Sequence, residues 1–584
     1  MRRGIAVSPG VSIGTAYVIH EIFVNPDTKL LEDSEITAEL AAYETARDQA
    51  AAELRTLEKK VDSQVGPHEA SIFAIHQQIL RDGAFTNKIR SWIVDDRMKA
   101  DAALHRLLGE YTTLFARTDD EYLRERLNDV RDVIIRICGN LISQDLSELN
   151  GLNGPLIVVA NEILPSQAVA LGEFEVRGIV TQTGSQTSHA AIIARSRGIP
   201  AVSGIKGLLR AVKTGDTIVV DGRDGHVEVN PSQETLTAFR KLEREFFDLK
   251  DKLAENRDHP SVTSCGAKLH LQANINGVAD AEAAGAMGAT GVGLYRTEYL
   301  YLTHTDVPDE EEQYENYREI ISHSPRNSVT IRTLDIGGDK TVNYLANDHH
   351  EANPFMGWRS IRLSMSHPEF FSSQIRAILR AASEFPNGNI RMMFPMVTTY
   401  EELRKLRNFV RRAHKELKAR KIKTREIPIG MMLEVPAAAV MIENMLNLVD
   451  FVSVGSNDLI QYLMAADRDN PKVNYLCQPL SPAVLSVLNQ VIQACNQRNK
   501  PITVCGEMAG QPRAFLLLLG MGLRRFSMSP AFIPSIKQLA AQVSIEDAEQ
   551  IARSALAFRE TAQVQRFMAR KIEQLAPSLT MLDI

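Results

Sequence analysis

The spacing of apolar and polar positions changes repeatedly along this chain, and each change marks a different kind of element. Residues 4–20 alternate around a turn at Ser8-Pro9-Gly10 and predict short strands that need a partner sheet. From 33 to 147 glycine and proline become scarce. Stretches such as Ala38 to Val61 and Tyr122 to Ile142 carry apolar residues at helical spacing, which predicts an inserted bundle of antiparallel helices. Short β runs then return between 148 and 230, at Leu156 to Val159, Gly178 to Val180, Thr217 to Val220 and Val227 to Val229. In the simplest topology segments 1–32 and 148–230 form one α/β domain, and the bundle 33–147 interrupts it.

Residues 231–261 predict a charged linker helix. Leu242, Phe246, Leu249 and Leu253 give it one apolar stripe. It reads equally as a spacer between two mobile bodies or as a surface helix packed on one domain. From 262 to 584 short β runs alternate with helical segments, and that alternation means parallel strands. The runs are Leu269–Ile275, Gly291–Tyr295, Val329–Leu334, Ile390–Pro395, Ile429–Leu433, Phe451–Val454, Ile502–Val504 and Arg525–Met528. Eight of them predict a C-terminal (β/α)₈ TIM barrel, with an open doubly wound sheet as the alternative. The fold class expected is therefore multi-domain α/β.

Composition narrows the function classes. The 584 residues are 44% hydrophobic and 24% charged, as in ordinary globular proteins, and suit about three or four domains. A formal net charge of −6 argues against nucleic acid as the main partner. No apolar run reaches the roughly 18 residues of a membrane span, and the start does not read as a signal peptide. Five widely spaced cysteines indicate neither a disulfide framework nor a zinc site, so a cytoplasmic setting is expected.

The chemistry concentrates in two places. Gly184-Ser185-Gln186-Thr187-Ser188-His189 follows a β run and leads into a small-residue helix, which puts one imidazole at a helix N-terminus where an anion is favoured. That ring is either a phosphoryl acceptor or a plain helix cap. In the barrel, polar residues follow the strands: Arg296, Arg332, Glu434, Asn457-Asp458 and Cys505, with Lys340, Arg359 and Arg468 in nearby loops. Strand C-termini converge on the catalytic face of such a barrel. Arginines and a lysine suit a small multiply anionic substrate, and Glu434 with Asp458 suit Mg²⁺.

These motifs resemble enzyme I of the bacterial phosphoenolpyruvate-dependent sugar phosphotransferase system. The resemblance runs from Gly4-Ile5-Ala6-Val7-Ser8-Pro9-Gly10 through Thr187-Ser188-His189, Gly293-Leu294-Tyr295-Arg296-Thr297-Glu298, Asp335-Ile336-Gly337-Gly338-Asp339-Lys340 and Asn353-Pro354-Phe355-Met356-Gly357-Trp358-Arg359. It continues to Gly455-Ser456-Asn457-Asp458-Leu459 and Val504-Cys505-Gly506-Glu507-Met508-Ala509-Gly510. It implies that His189 takes the phosphoryl group of phosphoenolpyruvate and passes it to the phosphocarrier protein HPr. Arg296, Arg332, Lys340, Arg359 and Arg468 would hold the substrate, and Asn457 would position it. Glu434 and Asp458 would carry Mg²⁺, and Cys505 would protonate the enolate to give pyruvate. The bundle would dock the carrier, with His76 and the stretch 119–126 matching its pattern. The barrel would form a homodimer, and the N-terminal body would swing about segments near 230 and 260. The chain departs from the family at Ser185 and Gln186, where glycine and arginine are usual, and at Ala168, where a threonine is expected.

Overall fold

The structure is a computed structural model. It describes residues 2–8, 10–19, 29–64, 67–116, 121–142, 155–163, 176–183, 194, 199–302, 307–337, 351, 353–468, 470 and 472–582. The chain divides into two compact units between Arg244 and Glu245, within the helix Gln233–Glu255 that the linker pattern predicts.

The first unit holds one sheet of eight strands. They are β1 (Arg2–Arg3), β2 (Ile5–Ser8), β3 (Val11–Val18), β4 (Leu156–Ala160), β5 (Val176–Thr181), β6 (Ala201–Ser203), β7 (Thr217–Asp221) and β8 (His226–Val229), in the order β1-β8-β7-β3-β4-β5-β6-β2. The opening strands do complete the later sheet. β3 lies parallel to β4 and antiparallel to β7. β4 is buried on both faces, with Ile157 and Val159 in one apolar cluster and Val158 and Ala160 in another, which is why its sequence is a continuous apolar run. Between β3 and β4 the chain leaves the sheet for five helices, Ile36–Gln64, Pro67–Arg81, Gly83–Val94, Ala100–Ala116 and Glu121–Ile142. Tyr43, Leu54, Phe73, Phe85, Ile89 and Ile134 are among the side chains of their common core.

The second unit is a closed barrel. Its strands are β9 (His270–Ile275), β10 (Val292–Arg296), β11 (Ser328–Arg332), β12 (Asn389–Phe394), β13 (Ile429–Leu433), β14 (Phe451–Val454), β15 (Ile502–Val504) and β16 (Arg525–Met528). Each pairs in parallel with the next, and β16 closes on β9 through Arg525↔His270 to Met528↔Ala273, which excludes the open-sheet alternative.

Strand alternation sorts the side chains into two sets. Leu271, Ala273, Ile331, Met392, Met431, Val452 and Phe526 face the surrounding helices and join the largest apolar core. The intervening positions fill the lumen. Asn274 there accepts from Ser527 Oγ at 2.6 Å, and Leu294, Met393, Met432, Phe451 and Cys505 form a small separate cluster. The lumen is therefore mixed rather than purely apolar.

Candidate active site

The strand ends bring six charged side chains into one alternating chain across the barrel mouth. Arg332, the last residue of β11, bonds Glu298 Oε1 at 2.5 Å and Asp335 Oδ2 at 3.0 Å. Asp335 Oδ1 accepts from Arg359 at 3.0 Å, and Arg359 lies 3.4 Å from Asp458 Oδ2. The other oxygen of Asp458 accepts from Arg468 at 3.1 Å. All but Arg468 are largely or fully buried. Burial opposes the charge on Arg332 and Arg359. For Arg332 the neighbouring Glu298 and Asp335, and for Arg359 Asp335 and Asp458, outweigh burial and hold both guanidinium pKa values above the ordinary arginine range.

Two local devices build this set. Gly337 adopts φ 114°, and a Cβ there would lie 2.4 Å from that of Arg359, so only glycine lets the two segments approach. Ser360 and Met396 are non-glycine residues at φ 55° and 52°. Each is tied to a mouth carboxylate, Ser360 Oγ to Asp335 Oδ1 and the Met396 N–H to Glu434 Oε1. Such conformations persist where surrounding contacts over-determine them.

The guanidinium forks are not saturated. The Nε–H groups of Arg332 and Arg359 are buried and have no hydrogen-bond partner among the described residues. Native structures rarely leave such donors unmet, and two of them on guanidinium groups that share Asp335 suit an anion. Arg296 ends β10 beside Arg332 in register. Among the described residues it makes no ion pair with Glu298, whose Oε1 bonds Arg332 across the strands. Asn457 Oδ1 accepts from the Glu507 N–H at 3.3 Å, which links the ends of β14 and β15.

Glu434 and Cys505 sit beneath this chain of charges. Burial, then Asp458 and Asp335, push the Glu434 carboxyl up to about 8, against the opposing pull of Arg332 and Arg359. Among the described residues no group of three or more His, Cys, Asp or Glu could hold a metal ion by itself. Cys505 Sγ donates to the Val454 carbonyl at 3.4 Å, and its own carbonyl accepts from Asn274 Nδ2 at 2.8 Å. Burial pushes this thiol up to about 11, so it stays protonated at neutral pH. Iodoacetamide at pH 8 is therefore expected to leave Cys505 largely unmodified. It should label exposed Cys265 first, whose thiol is lowered chiefly by a hydrogen bond with Thr263. Peptide mass spectrometry over a time course reads the order, and early loss of Cys505 would contradict its seclusion.

Asp335, Glu298 and Tyr462 complete the arrangement but do not stand out in the sequence. Tyr462 accepts from Arg359 at 3.2 Å and donates to the Phe355 carbonyl at 2.5 Å. In the bundle, His76 is buried with Nε2 3.2 Å from Asp129 Oδ1, so it belongs to the core rather than to a docking surface. His189, Lys340, Ala168, Ser185 and Gln186, and the side chains of 119–126, lie outside the described residues.

Three family models match the chain. They are the N-terminal domain of PEP-utilising enzymes over residues 3–126, their mobile domain over 152–225, and their PEP-binding domain over 250–545. The phosphoenolpyruvate-protein phosphotransferase of Haemophilus influenzae is 36% identical over 98% of both chains. Those of Bacillus sp. and Bacillus subtilis are 38% and 36% identical, covering 97% of this chain and 97% and 98% of their own.

Proposed function

Because this chain belongs to the family of phosphoenolpyruvate-protein phosphotransferases, we propose that the barrel mouth loads His189 with the phosphoryl group of phosphoenolpyruvate. The observation that carries the reading is the alternating chain from Glu298 to Arg468, with its two unmet Nε–H donors. Phosphoryl transfer asks the protein mainly for positioning and charge neutralisation. Arg296, Arg332, Lys340, Arg359 and Arg468 supply both to the phosphate and the carboxylate, and Asn457 fixes the anion from the β14 end.

The reaction balances with groups already present. An imidazole nitrogen of His189 bonds to phosphorus as the bond to the enol oxygen breaks. The enolate takes a proton on its methylene carbon from the Cys505 thiol, giving pyruvate, and solvent reprotonates the sulfur. A thiol held near 11 is a weak acid, suited to a strongly basic carbanion and not to premature loss of its proton. Phosphohistidine then passes its group to a histidine of a carrier of the HPr type docked on the helical bundle. For one ring to serve both stations, the N-terminal unit turns about segments near 230 and 260. We place this cycle in a cytoplasmic homodimer formed through the barrel, with the domains at 1–32 and 148–230, 33–147, 231–261 and 262–584. Among the described residues no helix is long and apolar enough to cross a membrane.

Mg²⁺ fits the open carboxylates Glu434 and Asp458, and when bound it neutralises oxygens of the transferring phosphate. The test rests on sign. Glu434 is raised to about 8, so its neutral form dominates at pH 7 and metal binding must expel that proton. Calorimetric titrations with Mg²⁺ in buffers of different ionisation enthalpy are expected to show proton release at pH 7, fading above about 8. Proton release and affinity that persist unchanged in Glu434→Gln would remove Glu434 from the ligand set.

Transfer itself is tested with labelled phosphoenolpyruvate and Mg²⁺. The adduct should be acid-labile and base-stable, as a phosphoramidate is, and chase onto a carrier of the HPr type.

A further inference from the structure

The lumen of the barrel has a second end. Alternation along the strands fixes which residues reach it: His270 lies on the Gln272–Asn274 face of β9, Arg525 on the Ser527 face of β16, and Arg391 on the Met393 face of β12. Each of these faces is the lumen side. Asn274 and Ser527 bond one another there, and Met393 packs with Phe451, over whose ring the Arg391 guanidinium sits at 5.4 Å. His270 and Arg525 are register partners, and β12 stands across the barrel from them. Arg326, in the turn before β11, adds a third guanidinium near this rim, beside the His270 imidazole.

Among the described residues no acid answers these guanidinium groups or the imidazole beside them. Among the described residues none of His270, Arg326, Arg391 and Arg525 makes an ion pair, and Arg391 has one side-chain hydrogen bond, to Asn389 Oδ1 at 3.3 Å. The mouth pairs every described arginine but Arg296 with a carboxylate, so the contrast lies within one barrel. Partial burial, then Arg525, Arg391 and Arg326, hold the His270 imidazole below its ordinary range. Burial and Arg525 bring Arg391 down to about 10. The partly buried, uncompensated guanidinium charges of Arg391 and Arg525 cost stability, and a bound dianion would reverse that cost.

We propose that the N-terminal end of the barrel is a binding site for a small multivalent oxyanion of the phosphate class, held by Arg391, Arg525 and His270. It is separate from the substrate mouth. His270 and Asn274 are four residues apart on β9, about 13 Å at ~3.3 Å per residue, with the Gln272 layer between them. The proposal does not depend on the phosphotransfer reading, and a free phosphate or a phosphate monoester would satisfy it equally.

The test needs a signal from this end alone, because phosphate also enters the mouth. With the full chain labelled on its histidines, the His270 ring resonance is assigned by its loss in His270→Gln. Inorganic phosphate or glycerol phosphate, added at constant ionic strength, is expected to move that resonance saturably and to raise the pH at which the ring titrates. Chloride should do neither. Arg525→Gln and Arg391→Gln should each weaken the effect of phosphate by about tenfold or more. Arg525→Gln should melt no lower than the parent in phosphate-free buffer, since it removes a cation with no ion pair. A shift that does not saturate, that chloride reproduces, or that survives both substitutions unchanged overturns the site. Saturation by only one of the two probes supports it and names the source.

Discussion

A His189→Ala protein is expected to take up no phosphoryl group from labelled phosphoenolpyruvate, a loss of about 10⁶-fold or more, as when an enzyme's nucleophile is removed. The barrel mouth should be untouched. The ion pairs that join Glu298, Arg332, Asp335, Arg359, Asp458 and Arg468 all lie within the second unit. Phosphoenolpyruvate with Mg²⁺ should therefore still raise the melting temperature of the variant about as much as that of the parent. Parent-like labelling of the variant would show that another side chain carries the group. Lost labelling together with lost stabilisation would instead mean that the substitution had damaged the substrate site. Only the combination of bound substrate and no adduct identifies His189 as the acceptor.

The barrel was legible because its outward residues repeat one signal. Leu271, Ala273, Ile331, Met392, Met431, Val452 and Phe526 mark strands wherever helices cover the sheet. Strand β6 escaped notice because Ala201-Val202-Ser203 is too short to show a period, although it pairs with both β2 and β5. The site was legible as a set of residue types at strand ends, but its bonding was not. Arg296 and Glu298 are near neighbours in sequence and invite pairing, yet Glu298 reaches 34 residues on to Arg332. Likewise Asp335 meets Arg359 across 24 residues, and Tyr462 meets it across 103. Contacts of that kind depend on closure of the barrel, which no local pattern encodes. The same holds at the other end, where His270, Arg391 and Arg525 come to one lumen only through the alternation of strands far apart in sequence.

Asp335→Ala tests whether the mouth acts as one electrostatic unit. Asp335 is the only acid in contact with both Arg332 and Arg359 among the described residues, and it also accepts from Ser360 Oγ. Removing it leaves each guanidinium with one remaining carboxylate, Glu298 for Arg332 and Asp458 for Arg359. Breaking a buried pair outright costs about 3–5 kcal/mol, and the surviving partners bring the expected loss of stability to the lower end, ~3 kcal/mol. The kinetic effect should exceed what stability explains. Arg332 and Arg359 would lose their common anchor, and displacements of about 1 Å at such a site cost on the order of 10²-fold in rate. Pyruvate release from phosphoenolpyruvate is thus expected to slow by about that factor at a temperature where the variant remains folded. Asp335→Asn retains an oxygen for Ser360 and one arginine, and should fall between. Activity in Asp335→Ala within a few-fold of the parent would mean that each arginine is placed by its outer partner alone, and the continuous chain from Glu298 to Arg468 would then be a feature of packing rather than of catalysis.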